Sequence, residues 1–579
     1  MNRLTRRDFL RASALGMGAI VISTGLAGCL SSSSSDSRKT SFRHGVASGD
    51  PLRNRVLLWT RVTPEDGKSG AVNVGWEVAT DESFSALVHS GTTQAKAEHD
   101  YTIKVDVTNL HPGQTYFYRF RAEGDSRSPV GKTCTLPEGS IEQARFAVVS
   151  CSNYPAGFFN VYREVANEPD IDAVIHLGDY LYEYDNQGYA TDDAEGLGRT
   201  MPANNDLELV ELVDYRRRYA LYRTDADLQA AHASAPFIAV WDDHEIANDT
   251  WKNGAENHDD AIHGDFTARK LRALQAYFEW MPIRPAFPDS NEAIYRRFDY
   301  GDLVSLYMLD TRIIGRDEQL EYESYLTENS EAPLNIPQFT ADMSDPNRTM
   351  LGAEQRLWLQ ASMNFSQATW HALGQQVLMG RMSLPAELLL DIVNRNPTIL
   401  EKFGELAQIK GRYLAGDPTL EPKDIARVTT VLPYNLDAWD GYFVEREVVL
   451  GTARQLNKNL VVLAGDTHNG WASNLKDMNG NEVGVEFATA SVSSPGSEEY
   501  LNVPEEAVAQ AEQAITLLAD DLQYANINQR GYMLVTFTAT EARADWRYVD
   551  TVKSREYSID TSRNRALKVN AGERTLSEV

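Results

Sequence analysis

Seven side chains able to bind a metal stand at the ends of four short apolar runs. Cys151 ends 146–151 (FAVVSC), Asp179 and Tyr182 close 173–182 (AVIHLGDYLY), Asp243 and His244 close 237–245 (FIAVWDDHE), and Asp466 and His468 lie in 460–471 (LVVLAGDTHNGW). Each alone has a plain structural explanation: a packed thiol, a helix cap, a satisfied core histidine. Their repeated placement at the ends of separate apolar runs is what singles them out. Asp179 and Tyr182 are close enough round one turn to reach a single ion. A phenolate ligand demands a strongly Lewis-acidic metal, because free tyrosine has a pKa of about 10.

With the Cys151 thiolate and the His468 imidazole, Asp179 and Tyr182 make an S, O, O, N set. Such a set suits Fe(III) better than calcium and differs from the usual closed zinc sites. Asp179 has two oxygens and can bridge to a second ion. The further candidates there, Asp243, Asp466, Asn248 and Asp249, offer oxygen alone, which favours a hard divalent cation such as calcium. Two adjacent cations polarise a phosphoryl group and lower the pKa of a bridging water. His244, beside Asp243, would then donate a hydrogen bond or a proton to the reacting phosphate.

These residues need elements that deliver them to one place. A short apolar run without alternation is the pattern of a strand covered on both faces, although periodicity alone also admits a buried helix. In open α/β sheets ligands bind beyond the carboxyl ends of strands, so four strands are expected to converge. Beyond 143, strands alternate with helical patterns, which predicts an α/β domain with a largely parallel central sheet. The patterns predict helices over 206–222, 266–278 and 352–363, and further strands over 303–309 and 533–537, the second an outlying antiparallel one. Residues 41–137 read as all β, with strands near 56–59, 72–78, 101–107 and 115–121, and 137–142 (PEGSIE) reads as a linker. Residues 385–431 interrupt the alternation and read either as a plain surface insertion or as a lid, since the aromatic and acidic run 437–442 (DAWDGY) follows directly. Residues 551–579 read as a tail.

The start of the chain reads as an address. Thr5, Arg6, Arg7, Asp8, Phe9 and Leu10 form a twin-arginine signature, followed by a weakly apolar stretch and by Leu26, Ala27, Gly28 and Cys29. Residues 1–29 are thus expected to be an export signal, with Cys29 either acylated as in a bacterial lipoprotein or a chance cysteine of an ordinary cleaved signal. Residues 30–40, with serines 31–35, read as a flexible tether. The expected location is periplasmic or at the cell surface, with the lipid at Cys29 as the sole membrane attachment and a monomeric chain. Lys and Arg number 55 against 83 Asp and Glu, a net charge of -28 that repels nucleic-acid phosphates. An anionic substrate must then be attracted locally, by metal or by specific arginines; the same excess of acid also serves solubility. Of the three cysteines, Cys134 reads as a small buried strand residue, with a Cys134–Cys151 disulfide as the alternative.

The phrases GDYLYEY, WDDHE, LDTR (Leu309, Asp310, Thr311, Arg312) and GDTH resemble the alkaline phosphatase D family of the calcineurin-like, purple-acid-phosphatase-related metallophosphoesterases. HGVASGDPL, LHPGQTYFYRF and SPVGKT resemble that family's amino-terminal sandwich, and the resemblance runs over about 41–550. Asp243-His244, Gly465-Asp466-Thr467-His468 and Cys151 stand where the wider superfamily carries Asn-His, Gly-His-x-His and an aspartate. The resemblance implies an α/β fold, a metallophosphoesterase-type β-sandwich core with flanking helices over 143–550, preceded by a small all-β fibronectin/Ig-like sandwich over 41–137. It also implies Fe(III) on Cys151, Asp179, Tyr182 and His468, and Ca2+ facing Asp179, Asp243 and Asp466, with Asn248 or Asp249 nearby. Arg216 in DYRRRY and Arg312 are then phosphate contacts or structural ion pairs. The expected function is an exported phosphoesterase that hydrolyses phosphate mono- and diesters with a metal-bound hydroxide and scavenges phosphate. The alternatives are a dedicated phosphodiesterase or phospholipase D-like enzyme on envelope polymers or lipids, and a non-catalytic surface-binding lipoprotein.

Overall fold

A computed structural model describes residues 20–22, 38–286, 292–329, 333–394, 396 and 399–579. The twin-arginine run, Cys29 and residues 30–37 of the expected tether lie outside the described residues, whereas Arg38 pairs with Asp66 and Thr40 with Pro64, so the last residues of that stretch are held. Among the described residues no helix is long and apolar enough to cross a membrane.

The first three apolar runs form Gln143–Val149, Ala173–His176 and Phe237–Ala239, adjacent parallel strands of one sheet. The fourth, Asn459–Ala464, departs from the single central sheet that the alternation predicts and agrees with the two-sheet core that the resemblance implies. It lies in a second sheet, between Trp370–Gly374 and Glu482–Ala488, parallel to both. The two sheets pack face to face, and alternation along the fourth run explains why all of it is apolar. Val461 and Leu463 join Phe146, Val148, Leu306 and Ala372 between the sheets, whereas Leu460, Val462 and Ala464 pack with Tyr307, Leu373 and Val449 on the outer side.

The first sheet extends both ways. Arg530–Thr538 pairs antiparallel with Gln143–Val149 on one side and with Glu541–Val549 on the other, so this predicted strand is internal rather than outlying. Residues past 550 are no free tail, because Arg565–Asn570 adds the next strand. At the opposite end Phe237 pairs with Gly49 of Val46–Leu52, and Arg55–Arg61 and Thr102–Thr108 follow. The sheet therefore runs on into the amino-terminal all-β region. There a second layer of Thr115–Ala122, Val72–Ala79 and Leu87–Ala95 closes a separate core around Val56, Leu58, Trp76, Val105 and Tyr118.

The helix predicted from 206 begins at Leu212 (Leu212–Tyr222), because Glu211 and Asp214 form a capping box there and leave Leu207 in solvent. Phe266–Trp280 starts at Asp265, whose carboxylate accepts the Ala268 N–H, and Gly352–Phe365 supplies the third predicted helix. Both described cysteines are free, and Cys134 Sγ points to the Asp172 carbonyl at 3.2 Å. The disulfide alternative is not what the chain forms.

His176 ends the second strand inside the core. Gly178 donates to its Nδ1 at 3.3 Å, so Nε2 carries the proton and donates to Tyr162 Oη at 2.8 Å. Burial pushes its pKa down to about 3, and burial does the same to His44 and His371. A folded pKa below the unfolded one means that the unfolded chain binds more protons, so stability is lost as pH falls from about 6.5 toward 3. Each such histidine is expected to contribute up to about 1.4 kcal/mol per pH unit in that window. In urea unfolding at pH 7 and pH 5, His176→Gln should lose less stability on acidification than the parent chain, by one proton's worth.

Candidate active site

At the carboxyl ends of the apolar strands the backbone takes turns that L-residues seldom make. Cys151 (φ 61°), Asp179 (53°), Asp249 (51°), Asp466 (64°) and His468 (64°) are all left-handed. Such strain collects at functional sites, where the surrounding fold holds it. Two glycines permit the approach. Gly178 has φ 111°, and a Cβ there would lie 2.4 Å from the Asp242 Cβ; one on Gly465 would lie 2.8 Å from the Ser150 Cβ, where the ends of the two sheets meet.

Tyr182 is the focus of the first donor group. Its Oη lies 3.0 Å from Asp179 Oδ2 and 3.0 Å from His468 Nε2, and it accepts from Ser494 Oγ at 2.7 Å. His468 Nδ1 donates to the Pro495 carbonyl at 2.7 Å, which leaves Nε2 as the lone-pair nitrogen a metal needs. Ligand atoms of Cys151, Asp179 and His468 all lie within 4.8 Å of one another, as do those of Asp179, Asp243 and His244, and those of Asp242, Asp243 and Asp466. Asp179 and Asp243 each belong to two of these groups, so the groups form one continuous donor array.

The array fits cations. Asp179 Oδ1, Asp243 Oδ1 and Asp242 Oδ2 are buried with no hydrogen-bond partner, a state that is costly unless an ion supplies one. Burial, and then the Asp179 carboxylate, pushes both the Cys151 thiol and the Tyr182 phenol well above their ordinary ranges. Asp466 is pushed up by burial and by Asp242. Bound cations invert this balance and hold the same groups deprotonated.

His244 is positioned by a residue that the sequence reading missed. Glu183 Oε2 lies 2.8 Å from its Nδ1, while Glu183 also accepts from Asn248 N and Asn257 Nδ2. Although burial acts to lower the His244 pKa, the Asp243 and Glu183 carboxylates hold it well above 6.5. The signal was available, since Glu183 stands inside GDYLYEY beside Tyr182. Asp242 was missed in the same way inside WDDHE; Asp437 opens the run DAWDGY, which was read only as the flank of a lid, and Tyr189 and Ser494 carried no local signal. Asn248 lies on the cavity wall with its side-chain amide on Glu256, and the Asp249 N–H donates to Asp243 Oδ2 at 2.6 Å.

Of the two roles open to the arginines, both take the structural one. Arg216 lies outside the cavity wall, where it forks onto Glu279 at 2.6 and 2.7 Å and donates to the Glu98 carbonyl; it is a structural ion pair. Arg312 is wholly buried beneath the donor array. It binds Asp242 through Nε, Asp437 at 2.7 Å and Asp466 at 3.0 Å, so it positions carboxylates rather than facing phosphate.

The donors open into a cavity of about 440 Å³, whose far wall comes from residues 319–323 and 434–437. The inserted segment 385–431 lines none of it. Its helix Ile399–Leu414 packs on Val508–Leu518, and the segment is bracketed by the lining residues Met382 and Tyr434.

Two packed sheets that bring thiol, phenol, imidazole and carboxylate donors to one buried array define a candidate metal centre. The family model described as PhoD-like phosphatase matches residues 146–546, and that of the PhoD-like phosphatase N-terminal domain matches residues 28–137. The chain belongs to the PhoD-like phosphatase family and is a phosphoric-ester hydrolase. It is 35% identical over 537 residues to alkaline phosphatase D of Bacillus subtilis (strain 168), covering 90% of this chain and 79% of that protein. A solved structure described as that of PhoD superposes with a TM-score of 0.72 at 32% identity, over 93% of this chain and 92% of that one.

Proposed function

We propose that this phosphatase cleaves phosphate diesters as well as monoesters, at a centre with Fe(III) on the Cys151, Asp179, Tyr182 and His468 side and Ca2+ on the Asp179, Asp243 and Asp466 side. The observation that carries the reading is the shared membership of Asp179 and Asp243 in adjoining donor groups of different chemistry. Thiol and phenol donors favour a trivalent iron, and an all-oxygen set favours a hard divalent ion. The bound cations would supply charge neutralisation at the phosphoryl oxygens and a water of lowered pKa. The chain supplies the rest. His468 is fixed in one tautomer by Pro495, and His244 is held by Glu183 with Nε2 left for the cavity, where it donates to the phosphate or to the departing oxygen. Export by the twin-arginine route and acylation of Cys29 complete the proposal, and rest on residues 5–10 and 26–29.

The test is nitrophenol release from bis(nitrophenyl) phosphate and from the monoester, by signal-free protein with and without a calcium chelator, alongside metal analysis. Chelator-sensitive turnover of both esters is expected. Turnover of the monoester alone would remove the diesterase part, and metal-loaded protein inert toward both would point to the surface-binding alternative. His244→Gln is expected to lower kcat by about 10²–10⁴-fold with metal content unchanged. Loss of metal in that variant would show that His244 is a ligand instead.

A further inference from the structure

The cavity above the donor array is larger than a phosphate requires, and its size fits an organic ligand. Its wall has an unusual composition for a phosphate-ester site: among the described residues that line it, none is lysine or arginine. Beyond the donor carboxylates, Glu321 and Glu323 add two exposed acids, neither of which has an ion-pair partner among the described residues. Facing the same space are the rings of Tyr322, Tyr434, Trp471 and Tyr500. Trp471 is fixed by its Nε1–H on Thr467 Oγ1 at 2.8 Å, and Tyr500 stacks on Tyr189 at 7° between planes. Gln319 Oε1 is buried in this wall without a hydrogen-bond partner and awaits a donor.

A phosphate attracted to the cations must therefore place its organic substituent against unpaired carboxylates, π faces and a bare carbonyl oxygen. On the side away from His244, an anionic substituent is repelled, a neutral one is tolerated, and a cation gains from the carboxylates, the π faces and the carbonyl oxygen. We infer that the preferred ester carries a positively charged alcohol part, an amine or a quaternary ammonium, seated between Glu321, Glu323 and the aromatic wall. This inference rests on the phosphodiesterase reading above and names its substrate class.

A matched pair of esters tests it on the full signal-free, metal-loaded chain: nitrophenyl phosphorylcholine and its neutral isostere, nitrophenyl 3,3-dimethylbutyl phosphate. The expected result is a kcat/KM about tenfold higher for the cationic ester, falling below about twofold in the E321Q/E323Q double variant. Equal kcat/KM for the pair in the parent chain overturns the inference, and a preference unchanged in the double variant overturns the seat at Glu321 and Glu323. If bis(nitrophenyl) phosphate is also untouched, the diesterase reading fails separately, and calorimetric binding of the same two esters decides. Tighter binding of the cationic ester then supports the seat, and equal binding removes it.

Discussion

Replacing Cys151 by alanine is expected to remove the metal on its side of the array and, with it, activity. The thiol is wholly buried and grouped with Asp179 and His468, and among the described residues its hydrogen-bond partners are Ser150 Oγ at 3.2 Å and the Asp466 carbonyl at 3.8 Å. Cysteine and alanine bear the same left-handed backbone at φ 61° equally badly, so the exchange neither relieves nor adds strain. Lost packing costs about 1 kcal/mol, too little to unfold a chain of this size. Partners that merely orient a ligand are worth about 10–100-fold in affinity or activity, so loss of a direct donor should exceed a hundredfold. Elemental analysis beside nitrophenyl ester turnover checks it. Full activity with unchanged metal content would refute the assignment of Cys151 as a ligand.

That Cys151 was worth singling out could be read from the sequence, because a cysteine closing an uninterrupted apolar run stands where a strand stops. The same logic found Asp179, Tyr182, Asp243, Asp466 and His468, all on turns that follow buried strands. It failed to separate the sheets. Val461 and Leu463 are as apolar as Phe146 and Val148, and nothing along 460–464 says which partner its two faces meet. The topology emerges only from pairing, here Asn459–Ala464 between Trp370–Gly374 and Glu482–Ala488.

Local pattern also left the arginines undecided between phosphate contacts and structural ion pairs. Arg216 and Arg312 sit in phrases that look alike as candidate phosphate contacts. What separates them is where their carboxylates come from: Glu279 is 63 residues away for Arg216, and Asp437 and Asp466 are 125 and 154 away for Arg312. Asp437 itself reached the donor array only because the segment 434–437 folds back over it. Such long-range ion pairs leave no trace in local periodicity, whereas Glu183, adjacent to Tyr182, could have been found by asking what orients His244.

Arg312 carries the other large expected effect. Its guanidinium is the buried counter-charge for Asp242, Asp437 and Asp466, with Asp243 at 3.8 Å, and among the described carboxylates Arg316 pairs with Asp437 alone. Burial acts to lower its pKa, yet Asp242 and Asp437 hold it well above the ordinary range, so the charge is permanent. Arg312→Met should therefore destabilise the chelated protein by about 3–5 kcal/mol, the penalty for stripping a partner from buried charges. Arg312→Lys should recover only part of this, since a point charge cannot span four carboxylates as a planar fork does. Added calcium should narrow the gap between variant and parent, because a second cation neutralises the same Asp243 and Asp466 side of the array. Denaturant unfolding with chelator and with calcium measures both terms. A phosphate-contacting arginine would behave differently, leaving stability intact and raising KM, and that outcome would overturn the positioning role.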